Sequence, residues 1–112
     1  MVYIYIGLFH VSRRICKKFG ADITCGEMAM ALPLLQGSTP EWALVQKHVS
    51  EDVFGIQICG SSPHQMGRVA QLVQDGHIDC DFVDINMGCP IDLVFNRYTS
   101  NLSFLMDGPG AY

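Results

Sequence analysis

The chain has 112 residues, enough for one domain of common size and too few for two. Hydrophobic residues make up 49% and charged residues 16%, a composition typical of a packed core and not of a disordered segment. The formal net charge of −4 excludes the strongly basic character of an autonomous nucleic-acid-binding domain.

Five cysteines are spread along the chain without a C-x-x-C pair, which indicates reduced thiols in an intracellular protein. No two Cys or His residues have the spacing of zinc ligands. Residues 1–9 are apolar but too short to span a bilayer, and we interpret them as a buried strand. We therefore expect a cytoplasmic or nuclear protein with no membrane segment and no metal.

The first two helices are predicted from their terminal residues. The first covers Val11 to Phe19, with Ser12 as a candidate cap and Gly20 as a left-handed stop. The second begins at residues 38–41, where Thr39 can cap the helix and Pro40 suits its first position. A third helix begins at residues 62–65, whose S-P-H-Q pattern is that of a capping box, and a glycine at position 76 ends it.

These helices carry two kinds of side-chain pattern. Apolar residues at helical spacing define the buried faces, which are Trp42, Val45 and Val49 in the second helix and Met66, Val69, Ala70 and Val73 in the third. The one basic cluster lies in the first helix and consists of Arg13, Arg14, Lys17 and Lys18. We interpret this cluster as a solvated helix face.

Short runs of strand type lie between the helices, at Ala21–Cys25, Val53–Cys59 and Phe82–Asn86. Their centres are about 30 residues apart, the length of a βαβ unit, which implies a parallel sheet covered by helices. An open doubly wound sheet and a closed eight-fold barrel share this pattern, and periodicity does not separate them. The tail, residues 97–112, contains no clear helix and is predicted to be irregular.

Polar residues lie beside a glycine at the carboxyl end of each predicted strand, at residues 24–28, 57–61 and 86–90. Because ligands gather at the carboxyl ends of parallel strands, this arrangement predicts a binding site there. Asn86 offers a donor and an acceptor, which suits the imide edge of a uracil-like base. Cys89 has either of two roles on chemical grounds: a general acid, as a thiol of ordinary pKa about 8.5, or a buried loop residue.

The sequence resembles the tRNA-dihydrouridine synthases over about Ser12 to Asn96, and most closely the eukaryotic branch that modifies the variable-loop region of cytoplasmic tRNA. The N-x-G-C-P motif after a V-D-I strand makes the resemblance specific. The segments that carry it are RRICKKFGAD at 13–22, CGEM at 25–28, LLQG at 34–37, EWAL at 41–44, FGIQ at 54–57 and DFVDINMGCPIDLV at 81–94.

The resemblance implies a (β/α)8 barrel that binds FMN and reduces uridine in tRNA, with NADPH as the reductant. A hydride would pass from the reduced flavin to one carbon of the uracil double bond. Cys89 would protonate the other carbon as the catalytic acid, Asn86 would hold the uracil, and Gln57 would contact the isoalloxazine ring.

A barrel of this kind needs about 250 residues, so we expect residues 1–96 to form only its second to fourth strands with their helices. Residues 97–112 diverge from the family pattern. We accordingly expect the isolated chain to be a truncated and inactive form that self-associates through exposed sheet edges. One alternative is a non-catalytic product without cofactor, such as a splice form, a gene-model fragment or a decayed copy. Another is a piece of a flavin barrel that acts on free pyrimidines.

Overall fold

Four helices and three strands alternate along residues 10–87, the part of the chain that the computed structural model describes. In chain order they are α1 His10–Lys18, β1 Ile23–Met30, α2 Ala31–Leu35, α3 Thr39–Leu44, β2 Val53–Cys59, α4 Pro63–Gln74 and β3 Phe82–Ile85. The segment interpreted as a first buried strand, residues 1–9, and the predicted irregular tail, residues 97–112, lie outside the described residues.

The three strands form one parallel sheet in the order β1-β2-β3, which confirms the α/β architecture predicted from the alternation of elements. Strand β2 pairs with both neighbours: Ile23 lies opposite Val53, and Gln57 lies opposite Asp84. Since parallel neighbours need a crossover, α2 and α3 connect β1 to β2, and α4 connects β2 to β3.

Strand β1 is longer than predicted and contains a bulge. Cys25 lies opposite Gly55 and Met28 opposite Gln57, so Gly26 and Glu27 together oppose a single residue of β2. The prediction that β1 ends at Cys25, with residues 24–28 as its ligand-binding turn, was therefore wrong. The sequence signal at Gly26 marks a bulge within the strand, which continues to Met30.

The glycine stops of the helices are confirmed, but the predicted side-chain caps are not. Gly20 and Gly76 have φ of 89° and 78°, as left-handed stops require. Ser12 lies inside α1, and Thr39 is the first residue of α3. Ser62 occupies the N-cap position of α4 without a side-chain hydrogen bond, so the predicted capping box does not form.

Helix α2 was not predicted, because its ALPLL sequence contains a proline in a run of five residues. Pro33 is the third residue of this helix, where the backbone N–H has no partner within the helix and its absence is tolerated.

The hydrophobic core lies between the sheet and its helices. Its buried members are Ala29, Ala31, Leu34, Val45, Phe54, Ile56, Ile58, Val69 and Ile78. The predicted buried position of Val49 is wrong, since this side chain is 96% exposed in the loop after α3. The predicted buried position of Ala70 is also wrong, since this residue lies on the exposed side of α4. Within residues 10–87, no helix has the length and apolar character needed to cross a membrane.

Candidate active site at the carboxyl ends of the strands

The two faces of β2 differ in character because successive side chains of a strand point to opposite sides. Phe54, Ile56 and Ile58 are fully or almost fully buried in the core under the helices. Gly55 and Gln57 belong to the opposite face, where the ring of Phe82 from β3 occupies the space that a side chain at position 55 would need. Gln57 is therefore a polar residue on the sheet face away from the helical layer.

Gln57 forms hydrogen bonds with two side chains of the neighbouring strand and its extension. Its Nε2 donates to Oδ2 of Asp84 at 2.6 Å, and its Oε1 accepts from Nδ2 of Asn86 at 3.2 Å. The backbone N–H of Asn86 donates to the carbonyl of Ile58 at 2.9 Å, which holds Asn86 at the end of the sheet. The two amide side chains predicted for the site thus meet at the carboxyl ends of β2 and β3.

Asp84 was not singled out from the sequence, although a signal for it exists. It is a carboxylate within an otherwise apolar strand, and it lies two residues before Asn86, so the two side chains share a face. Gln57 is only 8% exposed, and its amide is satisfied at both ends by residues of β3 and its extension. Cys89, the predicted catalytic acid, lies outside the described residues.

Cys25 lies beside this cluster, opposite Gly55 in the sheet register. Burial, assisted by the negative charge of Asp84, raises the pKa of its thiol to about 11. The raised pKa disfavours the nucleophilic thiolate, and the side chain of Cys25 is buried, at 4% exposed. Within the described part of the chain, no group of three or more His, Cys, Asp or Glu side chains could hold a metal ion.

A second buried polar cluster lies at the amino-terminal end of the sheet, and it corrects the interpretation of the basic cluster on α1. Arg13 is 2% exposed and donates from Nε to Oε1 of Glu51 at 2.7 Å, so it does not belong to a solvated face. Glu51 also accepts from the hydroxyl of Thr24 at 2.6 Å and from the backbone N–H of His48 at 2.8 Å.

The guanidinium of Arg13 further donates to the carbonyl of Gln46 at 2.8 Å and lies 4.8 Å from the ring centre of Phe54. These contacts tie α1, β1 and the loop before β2 together. A cluster at the amino-terminal end of a parallel sheet is typical of a contribution to stability.

Comparison with known proteins agrees with the predicted resemblance. The family model described as dihydrouridine synthase matches residues 9–107. A tRNA-dihydrouridine(47) synthase NAD(P)(+)-like protein of Arabidopsis thaliana is 60% identical over 85 residues, which cover 76% of this chain and 12% of that protein. The protein of the same name from Homo sapiens is 55% identical over 85 residues, covering 76% of this chain and 13% of that protein.

The tRNA-dihydrouridine(47) synthase of Coprinopsis cinerea is 50% identical over 99 residues, covering 88% of this chain and 14% of that protein. The chain thus spans about 12 to 14% of the length of these curated relatives. No solved structure gives a significant match. Since the family model covers most of the sequence, the chain belongs to the dihydrouridine synthase family.

Proposed function

We propose that this chain supplies part of the flavin- and uracil-binding end of a tRNA-dihydrouridine synthase, an oxidoreductase that reduces uridine in tRNA. The observation that carries the proposal is the contact between Gln57 and Asn86, whose amides meet at 3.2 Å at the carboxyl ends of adjacent parallel strands. The three parallel strands would be consecutive strands of a (β/α)8 barrel, whose active site is built at this end.

The side chains present fit a flavin ring and a pyrimidine base better than they fit a phosphate group. Gln57 and Asn86 each combine a donor and an acceptor, as do the polar edges of an isoalloxazine ring and of a uracil. Gln57 would hold the flavin ring and Asn86 the base. When bound, FMN supplies the hydride, and NADPH, in keeping with the NAD(P)(+) of the relatives' names, would restore it.

Cys89 would provide the proton in the same proposal. It follows Asn86 by three residues in the N-x-G-C-P motif. A thiol of ordinary pKa, about 8.5, is mostly protonated at neutral pH and can donate its proton to a carbon that becomes basic during the reaction. The Sγ proton would go to one carbon of the uracil double bond as the hydride reaches the other, and solvent would then reprotonate the thiolate.

The proposal also covers the substrate, the cellular location and the site of the flavin phosphate. The substrate would be tRNA, as the names of the relatives state for those proteins. The protein would act inside the cell, in the cytoplasm or the nucleus. Segments beyond the three described strands would provide the flavin phosphate site, because the carboxyl-terminal ends described here contribute amides and no cationic side chain to the Gln57 cluster.

The first experiment is a titration of the 112-residue chain with FMN, followed by flavin fluorescence. Saturable quenching that is lost in Gln57→Ala, and kept in Gln71→Ala on the exposed side of α4, would support the flavin contact. Cys89→Ala would then be compared with Cys80→Ala in any preparation that reduces uridine, with an expected loss of about 10²- to 10⁴-fold for the first alone.

Two outcomes contradict parts of the proposal. Equal quenching in the chain and in Gln57→Ala would remove Gln57 from the flavin site. An absence of saturable quenching would mean that the chain by itself has no cofactor site, which is the non-catalytic alternative.

A further inference from the structure

We infer that Asp84 is a positioning residue, which sets the orientation of the Gln57 amide and, through it, the orientation of the Asn86 amide. The inference deepens the function proposed above, because it names the group that determines which pattern of donors and acceptors a bound base would meet. Its structural part is argued from the hydrogen bonds among these three side chains.

The sheet register brings the three residues together. Asp84 lies directly opposite Gln57 in the parallel pairing of β2 and β3. Asn86 follows Asp84 by two residues and therefore projects from the same face. The contact from Gln57 Nε2 to Asp84 Oδ2, at 2.6 Å, is shorter than the contact from Asn86 Nδ2 to Gln57 Oε1, at 3.2 Å.

The carboxylate decides the direction of this chain of hydrogen bonds. An ionised carboxylate only accepts hydrogen bonds, whereas a glutamine amide has one end that donates and one that accepts. Gln57 must therefore turn its NH2 group toward Asp84, because its oxygen would otherwise face another acceptor. That orientation leaves Oε1 toward Asn86, which must in turn offer its own NH2 group, as observed.

An Asn86 amide held in one orientation can discriminate between uracil and cytosine. Uracil has an N–H donor between two carbonyl acceptors, whereas the corresponding ring nitrogen of cytosine is an acceptor. An amide that could rotate freely would accommodate both patterns, and one with a fixed direction distinguishes them. Under the proposed function, Asp84 would thus contribute to uracil specificity without touching the base.

The test measures hydrogen exchange of the side-chain amides of Gln57 and Asn86 by NMR in the 15N-labelled 112-residue chain. We expect exchange at both amides to become roughly 10- to 100-fold faster in Asp84→Ala, as loss of a hydrogen bond to a charged group predicts. Asp79→Asn, which removes an exposed carboxylate away from the cluster, should change neither rate. Faster exchange at Gln57 with an unchanged Asn86 would overturn the relay to Asn86.

Asp84→Asn keeps the test decisive if Asp84→Ala does not fold, because asparagine has nearly the size of aspartate. An amide at position 84 can donate or accept, so it no longer forces the Gln57 amide into one direction. Faster exchange at both Gln57 and Asn86 than in the natural chain would support the inference, and unchanged exchange at both amides would refute it.

The readout requires neither FMN nor RNA, so its result is independent of the proposed function. Unchanged Asn86 exchange in Asp84→Ala, in a chain that binds FMN, would reject the positioning role alone. Faster exchange at both amides in Asp84→Ala, in a chain that does not bind FMN, would reject the proposed cofactor contact alone.

Discussion

Two polar clusters, one buried and one partly buried, lie at opposite ends of the sheet, and they differ in what their charged side chains contact. At the amino-terminal end of the sheet, Arg13 and Glu51 neutralise each other, and Thr24 and the backbone of His48 complete the acceptor sites of the carboxylate. At the carboxyl end, Asp84 faces the neutral amide of Gln57. The first arrangement holds elements in place, whereas the second directs amide groups that could contact a ligand.

We predict that Glu51→Gln destabilises the folded chain by about 3 kcal/mol, because it leaves the buried guanidinium of Arg13 without its counter-charge. Urea unfolding at neutral pH measures the change. The matched control is Asp52→Asn, which breaks the Lys17–Asp52 pair at 2.8 Å, where the Asp52 side chain is 83% exposed. We expect no measurable effect from this control. Equal loss in the two variants would show that the Arg13–Glu51 contact is not important for stability.

The ionisation of Glu51 also predicts that the free energy of unfolding depends on pH. Burial alone would raise the pKa of Glu51, but hydrogen bonds from Arg13, Thr24 and the backbone of His48 outweigh it, so the pKa lies below the usual value of 4.5. The stabilisation is therefore present above pH 4.5 and is lost as the pH falls through the lower, folded-state pKa. Unfolding free energy should fall more steeply below pH 4.5 in the natural sequence than in Glu51→Gln.

At the scale of elements, the bulge in β1 determines how α3 meets the sheet. A Cβ atom at Gly26 would lie 2.6 Å from the carbonyl oxygen of Leu44, the last residue of α3. The bulge thus allows helix backbone and strand backbone to approach more closely than any side chain would permit. Trp42 and Leu44 of α3 pack against the core, and Val45, which follows the helix, belongs to the core.

We predict that Gly26→Ala destabilises the chain by about 1 to 3 kcal/mol, since rigid backbone atoms must move to accept the methyl group. Gly67→Ala is the matched control. It lies in the interior of α4 with no atom within 4 Å of the added methyl, so we expect it to stabilise the chain by about 0.5 to 1 kcal/mol. Thermal unfolding of both variants measures the two effects, and a neutral Gly26→Ala would contradict the close packing of α3 on the bulge.

At the scale of the whole molecule, the described sheet has two edges, β1 and β3, because only β2 has a neighbour on each side. Strand β3 is the more exposed of the two edges. Val83 is 37% and Ile85 48% exposed, whereas every residue of β1 is buried or partly buried. Apolar edge strands of this kind promote pairing between chains.

We predict self-association of the chain through β3 at micromolar to millimolar concentrations, where exposed strand edges begin to pair. Sedimentation velocity over this range measures it. A lysine at position 85, introduced as Ile85→Lys, should shift the chain toward monomer, whereas Val49→Lys, at a residue 96% exposed in a loop, should not. A monodisperse monomer in the natural sequence would contradict the prediction.

The sequence by itself determined the alternation of strands and helices apart from α2, the parallel sheet and the family, because strand and helix periods, glycine stops and the N-x-G-C-P motif are local signals. It also indicated Gln57 and Asn86 as site residues, although their roles remain predictions. The three-dimensional arrangement decided what depends on pairs of residues far apart in the chain.

Arg13 and Glu51 are 38 residues apart, and no local pattern distinguishes this buried arginine from its solvated neighbours. The contact of Asp84 with Gln57 spans 27 residues and depends on the register of β2 and β3. The bulge at Gly26 likewise depends on where α3 packs. Burial and hydrogen-bond partners are properties of the assembled sheet, which is why only the tertiary structure identified Asp84 as the residue that directs the two amides.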